Sequence, residues 1–195
     1  CIAPDYVYVH RSLDPAFLEK AAKEIAQSDF KVENGNYVQI VNARNTQRVA
    51  DMIDPSKVIV GGTFDIEART IEPTIMKDVN WSDKVMQDEI FGPLMPTMAY
   101  DDIDEVIANI KSHDKPLALY LFTENEALKK KVLGEVSFGG GCINDAVMHI
   151  ANGHLPFGGV GASGIGSYHG FAGFRAFSHF KSIVDRAVIE DPDLK

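Results

Sequence analysis

Apolar residues along this chain alternate between two spacings, one suited to strands and one to helices. Asp5-Tyr6-Val7-Tyr8-Val9, rich in aromatic and β-branched residues, predicts a strand. Asp14-Pro15 then predicts a helix start, as N-cap and first-turn proline. Phe17, Leu18, Ala21, Ala22, Ile25 and Ala26 come next, on one helical face. A second helix is predicted from near Asn42 to Ile53, and a short strand at Lys57–Val60, closed by Gly61-Gly62. Ile71–Val79 reads as another strand, with Pro73 marking an edge or a bend. Ser82 is expected to cap a short helix that stops near Phe91-Gly92-Pro93.

The pattern is clearest in the next segment. Leu94–Tyr100 predicts a strand, and Asp102–His113 a helix with Ile103, Val106, Ile107 and Ile110 on one face. Leu117–Phe122 is a nearly continuous apolar strand, which fits a sheet covered on both sides. A Lys-rich helix from about Asn125 to Val136 and a glycine-broken strand, Phe138–Asn144, complete the series. Strands alternating with helices of this length imply an α/β fold: a mainly parallel sheet with helices on both faces. The chain is irregular up to Gly170; an aromatic segment, Phe171–Phe180, and a late strand near Ser182-Ile183-Val184 end it. With no repeat and no low-complexity linker, residues 1–195 read as one domain.

Composition narrows the chemistry. A net charge of −9 argues against nucleic acid and against an anionic lipid surface, both of which call for a basic face. No apolar run has the length of a membrane span. The two cysteines, Cys1 and Cys142, do not make a disulfide scaffold, so a reducing, cytoplasmic setting is expected. No His/Cys group has zinc-ligand spacing, and no metal is expected. The chain opens on Cys1 without a Met and is expected to be a piece of a longer protein.

Gly159-Val160-Gly161-Ala162-Ser163-Gly164 satisfies the GxGxxG pattern of dinucleotide-binding turns. That pattern carries meaning only between a strand and a helix. Leu155-Pro156-Phe157 is a poor strand, and Gly166 and Gly170 break the stretch where a helix would begin, so a tight loop is expected instead. His154 and His169 in the same region are read as structural hydrogen-bonding groups. Trp81, Phe171, Phe174 and Phe177 are read as packing residues, and Lys129-Lys130-Lys131 as a solvated helix face.

Several segments carry a resemblance. Cys1-Ile2-Ala3-Pro4-Asp5-Tyr6 and Gln87-Asp88-Glu89-Ile90-Phe91-Gly92-Pro93 resemble the aldehyde dehydrogenase superfamily. Lys115–Tyr120, Ile143-Asn144-Asp145, Leu155–Gly161 and Gly164–Gly170 resemble its class-3 branch, in the family's order over nearly the whole chain. The resemblance implies that Cys1 is the catalytic nucleophile and that Glu89 holds the ribose hydroxyls of an NAD or NADP cofactor. It places Phe91 near the nicotinamide, and Asn144, Gly158 and Gly159 along the substrate cavity. It also implies a small aldehyde substrate, and a last strand near Ile183-Val184 that extends the sheet across a homodimer. Cys142 matches no catalytic position and reads as a small core residue.

The implied chemistry suits a thiol. A thiolate adds to the aldehyde carbon, the tetrahedral adduct loses hydride to the nicotinamide, and water cleaves the thioester. The family's cofactor domain, general-base glutamate and oxyanion-stabilising asparagine all precede the nucleophile, and those segments are not in this sequence. The chain alone is therefore expected to be inactive. Two other readings stay open at this stage. One is a hydrolase whose N-terminal Cys uses its own α-amine as base, although that class is built on antiparallel layers. The other is a non-catalytic relative kept for structure or binding.

Overall fold

The computed structural model describes residues 1–188. The strands are β1 (Val7–His10), β2 (Val58–Val60), β3 (Phe64–Asp65), β4 (Thr70–Ile71), β5 (Thr74–Met76), β6 (Leu94–Tyr100), β7 (Ala118–Leu121) and β8 (Gly140–Ile143). The helices are α1 (Asp14–Gln27), α2 (Ala43–Ala50), α3 (Ile103–Lys111), α4 (Glu126–Glu135) and α5 (Gly170–Ala176). β6 and the cores of α1, α2, α3 and α4 fall where the apolar spacing puts them, whereas α5 lies in a stretch read only as an aromatic segment. Three helices start at a side-chain cap: Asn42 accepts from the Asn45 N–H, Asp102 from Asp104 and Asn125 from Ala127 and Leu128.

Local expectations shift in three places. At α1 the N-cap position is Leu13, without a side-chain cap, so Asp14 and Pro15 lie inside the first turn. Ser82 caps no helix; its hydroxyl and N–H both bond to the Asn80 side chain, and the segment beyond it holds a 3-10 turn at Lys84–Met86. Pro73 divides the expected Ile71–Val79 strand into β4 and β5, because a proline has no N–H to donate to a ladder.

The sheet is mixed and comes in pieces. One sheet runs β1-β6-β5-β2, with β1 and β5 parallel to β6 and β2 antiparallel to β5. β7 and β8 form a separate parallel pair, and β3 and β4 a short antiparallel one. The expectation of one mainly parallel sheet is therefore met only in part. β1 is an edge strand of its sheet, and among the described residues no ladder joins it to β7. Two cores hold the pieces together, and the β3–β4 pair shares the first. Val49 and Ala50 of α2 pack with Ile71, Met76, Leu94 and Met98, whereas Ile107 of α3 and Val132 of α4 pack against Leu119 and Leu121 of β7.

The late strand near Ser182-Ile183-Val184 is not formed. A strand needs a ladder partner, and none of the described residues supplies one there; Ile183 and Val184 are 73% and 92% exposed. Phe171, Phe174 and Phe177, expected to pack, are exposed as well. No helix among the described residues is long and apolar enough to cross a membrane.

A half-buried ion pair, Lys57–Asp83, ties β2 to the segment leading into the 3-10 turn. Burial alone would raise the Asp83 carboxyl, but the Lys57 ammonium and the Asn80 N–H outweigh it and hold it below the ordinary aspartate value. A carboxyl depressed in the folded state stabilises at neutral pH, and that contribution fades as pH falls through the folded-state value. Lys57→Met leaves Asp83 with its Asn80 contacts alone and is expected to cost about 1–2 kcal/mol. Urea unfolding should show the loss at pH 7 and a smaller one below the ordinary aspartate range.

Candidate active site

Cys1 and Glu89 are far apart along the chain, yet they meet. The Cys1 backbone nitrogen lies 3.7 Å from Glu89 Oε1. Both residues line a cleft of about 1060 Å³ together with Phe91, Tyr6, Tyr8 and Trp81. The cleft lies between β1 and β7, where the two sheets fail to join, and its walls include residues of both strands. Cys1 and Glu89 are exposed, with side-chain exposures of 65% and 59%, so thiol and carboxylate are both open to a ligand.

Two hydrogen bonds fix the Cys1 segment. The Tyr120 hydroxyl, from β7, donates to the Ile2 carbonyl at 2.6 Å. Asp5 Oδ1 accepts from the Ile90 N–H at 3.0 Å, joining the segment directly to the Glu89 loop. Burial pushes the Asp5 carboxyl above its ordinary value and the Glu89 charge adds to the rise, while the Ile90 N–H works against both. Tyr6 is pushed up to about 12, by burial first and then by Tyr8 and Asp5. Its phenol therefore stays protonated at neutral pH and cannot act as a base there.

Glu89, Ile90 and Phe91 lie outside regular structure. Ile90 is inserted in the core at 1% exposure, and Phe91 takes a positive φ of 50° with its ring 68% exposed. Arg48, on the last turn of α2, donates to the Glu89 carbonyl at 3.0 Å and to the Ile90 carbonyl at 2.7 Å. An exposed carboxylate on a held loop, next to an exposed ring, fits the ribose and nicotinamide end of a dinucleotide. A carboxylate can accept from two neighbouring hydroxyls, and the ring offers an apolar face.

The remaining sequence candidates stand back from the cleft. The Asn144 side chain accepts from the Thr123 N–H and donates to the Thr123 carbonyl, which clamps the ends of β7 and β8 together. Gly158 and Gly159 pack backbone to backbone: a Cβ on either would lie 2.1 Å from a carbonyl oxygen, of Gly166 and Ser163 respectively. Their neighbours Ala146, Ala162 and Ser163 are the ones that reach the cleft. The GxGxxG segment is a loop, as its context predicts, with a 3-10 turn at Gly161–Ser163 and a closing Phe157–Tyr168 bridge. His169 stacks on Phe157, and its buried Nδ1 has no hydrogen-bond partner among the described residues, contrary to the structural hydrogen bond expected of it. Cys142 lies off the cleft, with its Sγ 3.7 Å from His149 Nδ1. Among the described residues no three His, Cys, Asp or Glu side chains could jointly hold a metal ion.

Asp5 and Arg48 are the site residues that sequence reasoning missed. Asp5 sits inside the quoted Cys1–Tyr6 motif, but nothing in the sequence connects it to Ile90. Arg48 reads as an ordinary solvated position of an amphipathic helix.

The chain is similar to known proteins over nearly its whole length. The profile of the aldehyde dehydrogenase family matches residues 1–183. The chain is 43% identical to a putative aldehyde dehydrogenase of Bacillus subtilis (strain 168), over 96% of this chain and 44% of that protein. It is also 43% identical to the dimeric, NADP-preferring aldehyde dehydrogenase of Canis lupus familiaris, over 100% of this chain and 44% of that one. The substrate-bound structure of Staphylococcus aureus AldH superposes with a TM-score of 0.86 at 41% identity, covering 96% of this chain and 43% of that chain. An NAD-dependent aldehyde dehydrogenase from Sinorhizobium meliloti superposes at 0.88 with 20% identity, which speaks for the fold alone; it covers 100% of this chain and 40% of that one. The chain thus spans less than half the length of these relatives. On the family match and on these identities, the chain belongs to the aldehyde dehydrogenase family.

Proposed function

We propose that this chain is the catalytic portion of an NAD- or NADP-dependent aldehyde dehydrogenase of the class-3 branch, and that Cys1 is its nucleophile. The observation that carries the reading is that Cys1, Glu89 and Phe91, far apart along the chain, line one open cleft. Relatives described as family 3 member A2, in Mus musculus and Rattus norvegicus, are each 43% identical to this chain and favour the class-3 branch.

In this reading the Cys1 thiolate forms a C–S bond to the aldehyde carbon, and the carbonyl oxygen becomes an oxyanion. A bound nicotinamide would supply the hydride acceptor that the two-electron oxidation of this carbon needs. The thioester left on Cys1 is cleaved by water, which releases the carboxylic acid and returns the thiol. Glu89 binds and orients the ribose, and Phe91 packs beside the nicotinamide. Asn144, Gly158 and Gly159 shape the substrate side through the loops they hold. The oxyanion donor and the general base come from sequence outside this chain, and the homodimer from the tail at Ile183-Val184, whose residues are exposed.

With that division of labour, the chain alone should give no aldehyde-dependent rise in NADH absorbance. The longer protein that contains it should give a steady rise. Steady turnover by the chain alone, lost on Cys1→Ala, would contradict the reading.

A further inference from the structure

We propose that Asp5 and Arg48 are positioning residues that clamp the Glu89–Ile90 peptide and so fix Glu89 and Phe91 against the Cys1 segment. The inference rests on the reading of Glu89 as the ribose-binding group.

The loop has no ladder or helix of its own to hold it. Its backbone polar groups are met by two charged side chains instead. Asp5 takes the Ile90 N–H, and the two ends of the Arg48 guanidinium take the successive carbonyls of Glu89 and Ile90. Three bonds to one peptide and its neighbour fix both its position and its tilt. A planar fork suits that task better than a single-point donor.

The clamp also has something to restrain. Phe91 at φ 50° is a bulky residue in the left-handed region, a conformation that persists only when its surroundings over-determine it. If the loop were released, it could relax and swing the ring and the carboxylate away together. Ile90, buried in the core, is the fixed point about which that swing would occur.

The clamp links the two halves of the chemistry. Asp5 is joined to the nucleophile by one short segment, which Tyr120 holds at the Ile2 carbonyl. The distance between the Cys1 thiol and the Glu89 carboxylate is therefore set through Asp5, without any contact between Asp5 and the reacting atoms. A misplacement of about 1 Å at a reacting pair can cost on the order of a hundredfold in rate, so such bracing is a kinetic device as much as a structural one.

The test uses the longer, active protein with Asp5→Ala, Asp5→Asn, Arg48→Met and Glu89→Gln. Asp5→Ala and Arg48→Met should each raise the cofactor KM about tenfold and leave the aldehyde KM within about twofold. Asp5→Asn keeps an acceptor oxygen for the Ile90 N–H and should stay within about twofold of the parent on both. Should Asp5→Ala not fold, Arg48→Lys keeps the charge, loses the fork and should give the same rise. Hydrogen exchange at the Ile90 amide supplies a readout independent of the cofactor: faster in Asp5→Ala and Arg48→Met, unchanged in Asp5→Asn. Unchanged exchange in Asp5→Ala and Arg48→Met, or an equal rise in both KM values, would overturn the clamp. If Glu89→Gln leaves the cofactor KM unaltered while exchange still quickens in Asp5→Ala and Arg48→Met, the ribose assignment fails and the clamp stands.

Discussion

Replacing Cys1 by Ala in the longer protein is expected to abolish aldehyde oxidation, with a loss in kcat on the order of 10⁴ or more. The reason is what the thiol alone can supply. Among the described residues that line the cleft, Cys1 is the one thiol, and a thiolate both adds to a carbonyl carbon and leaves readily from an acyl group. Tyr6, lining the same cleft, is held neutral by a value pushed up to about 12. Cys142, the other thiol, stands off the cleft against His149. Cys142→Ala should therefore retain most of the activity, and the pair of variants separates a particular nucleophile from a general need for thiol. Substrate binding is not expected to suffer in Cys1→Ala, because the cleft walls come from β1 and β7. Cofactor binding should persist for the same reason, since Glu89 and Phe91 are held by Asp5 and Arg48 and not by the sulfur.

The second large effect concerns stability. Gly141 of β8 pairs with Leu119 of β7, and a Cβ added to it would lie 1.8 Å from the Leu119 carbonyl oxygen and 2.9 Å from its carbon. Backbone cannot step aside there without parting the two strands. Gly141→Ala is therefore expected to cost at least about 3 kcal/mol, at the upper end for a single substitution. β7 also forms one wall of the cleft and carries Tyr120, which holds the nucleophile's segment. The variant should thus lose the Ile2 anchor along with the strand pair. Thermal unfolding of the longer protein measures the first effect, and the rate of Cys1 alkylation the second. An unchanged midpoint would show that the strands are not held together as described.

The sequence revealed most where local chemistry decides the outcome. β6 and the capped starts of α2, α3 and α4 depend on apolar spacing and on Asn or Asp at one position, both visible in a short window. The loop nature of the GxGxxG segment was equally visible, because Pro156 and the later glycines deny it a strand and a helix. β3 was not legible, since a two-residue strand carries no period. The division of the sheet was not legible either: an apolar strand such as β7 has the same pattern whether or not a neighbour lies beside it. The tail at Ser182-Ile183-Val184 shows the same limit, as its β-branched residues state a preference that only a partner can satisfy.

At the site, Cys1, Glu89 and Phe91 came from a resemblance, and their meeting came from the fold. The Asp5 and Arg48 contacts to the Glu89 loop join residues tens of positions apart through backbone atoms, which leave no mark on residue type. Asn144 illustrates the reverse case. Its type invites a role as amide donor to substrate, yet both ends of its amide are committed to Thr123.

The central claim is that the acyl group passes through the Cys1 sulfur. The most direct measurement is acid quenching of the longer protein during turnover with an aldehyde and oxidised cofactor, and then peptide mass analysis. The expected result is a mass increase equal to the acyl group on the peptide carrying Cys1, sensitive to hydroxylamine and absent when cofactor is omitted. An acyl adduct on Cys142, or turnover with Cys1 unmodified and replaceable by Ala, would contradict it.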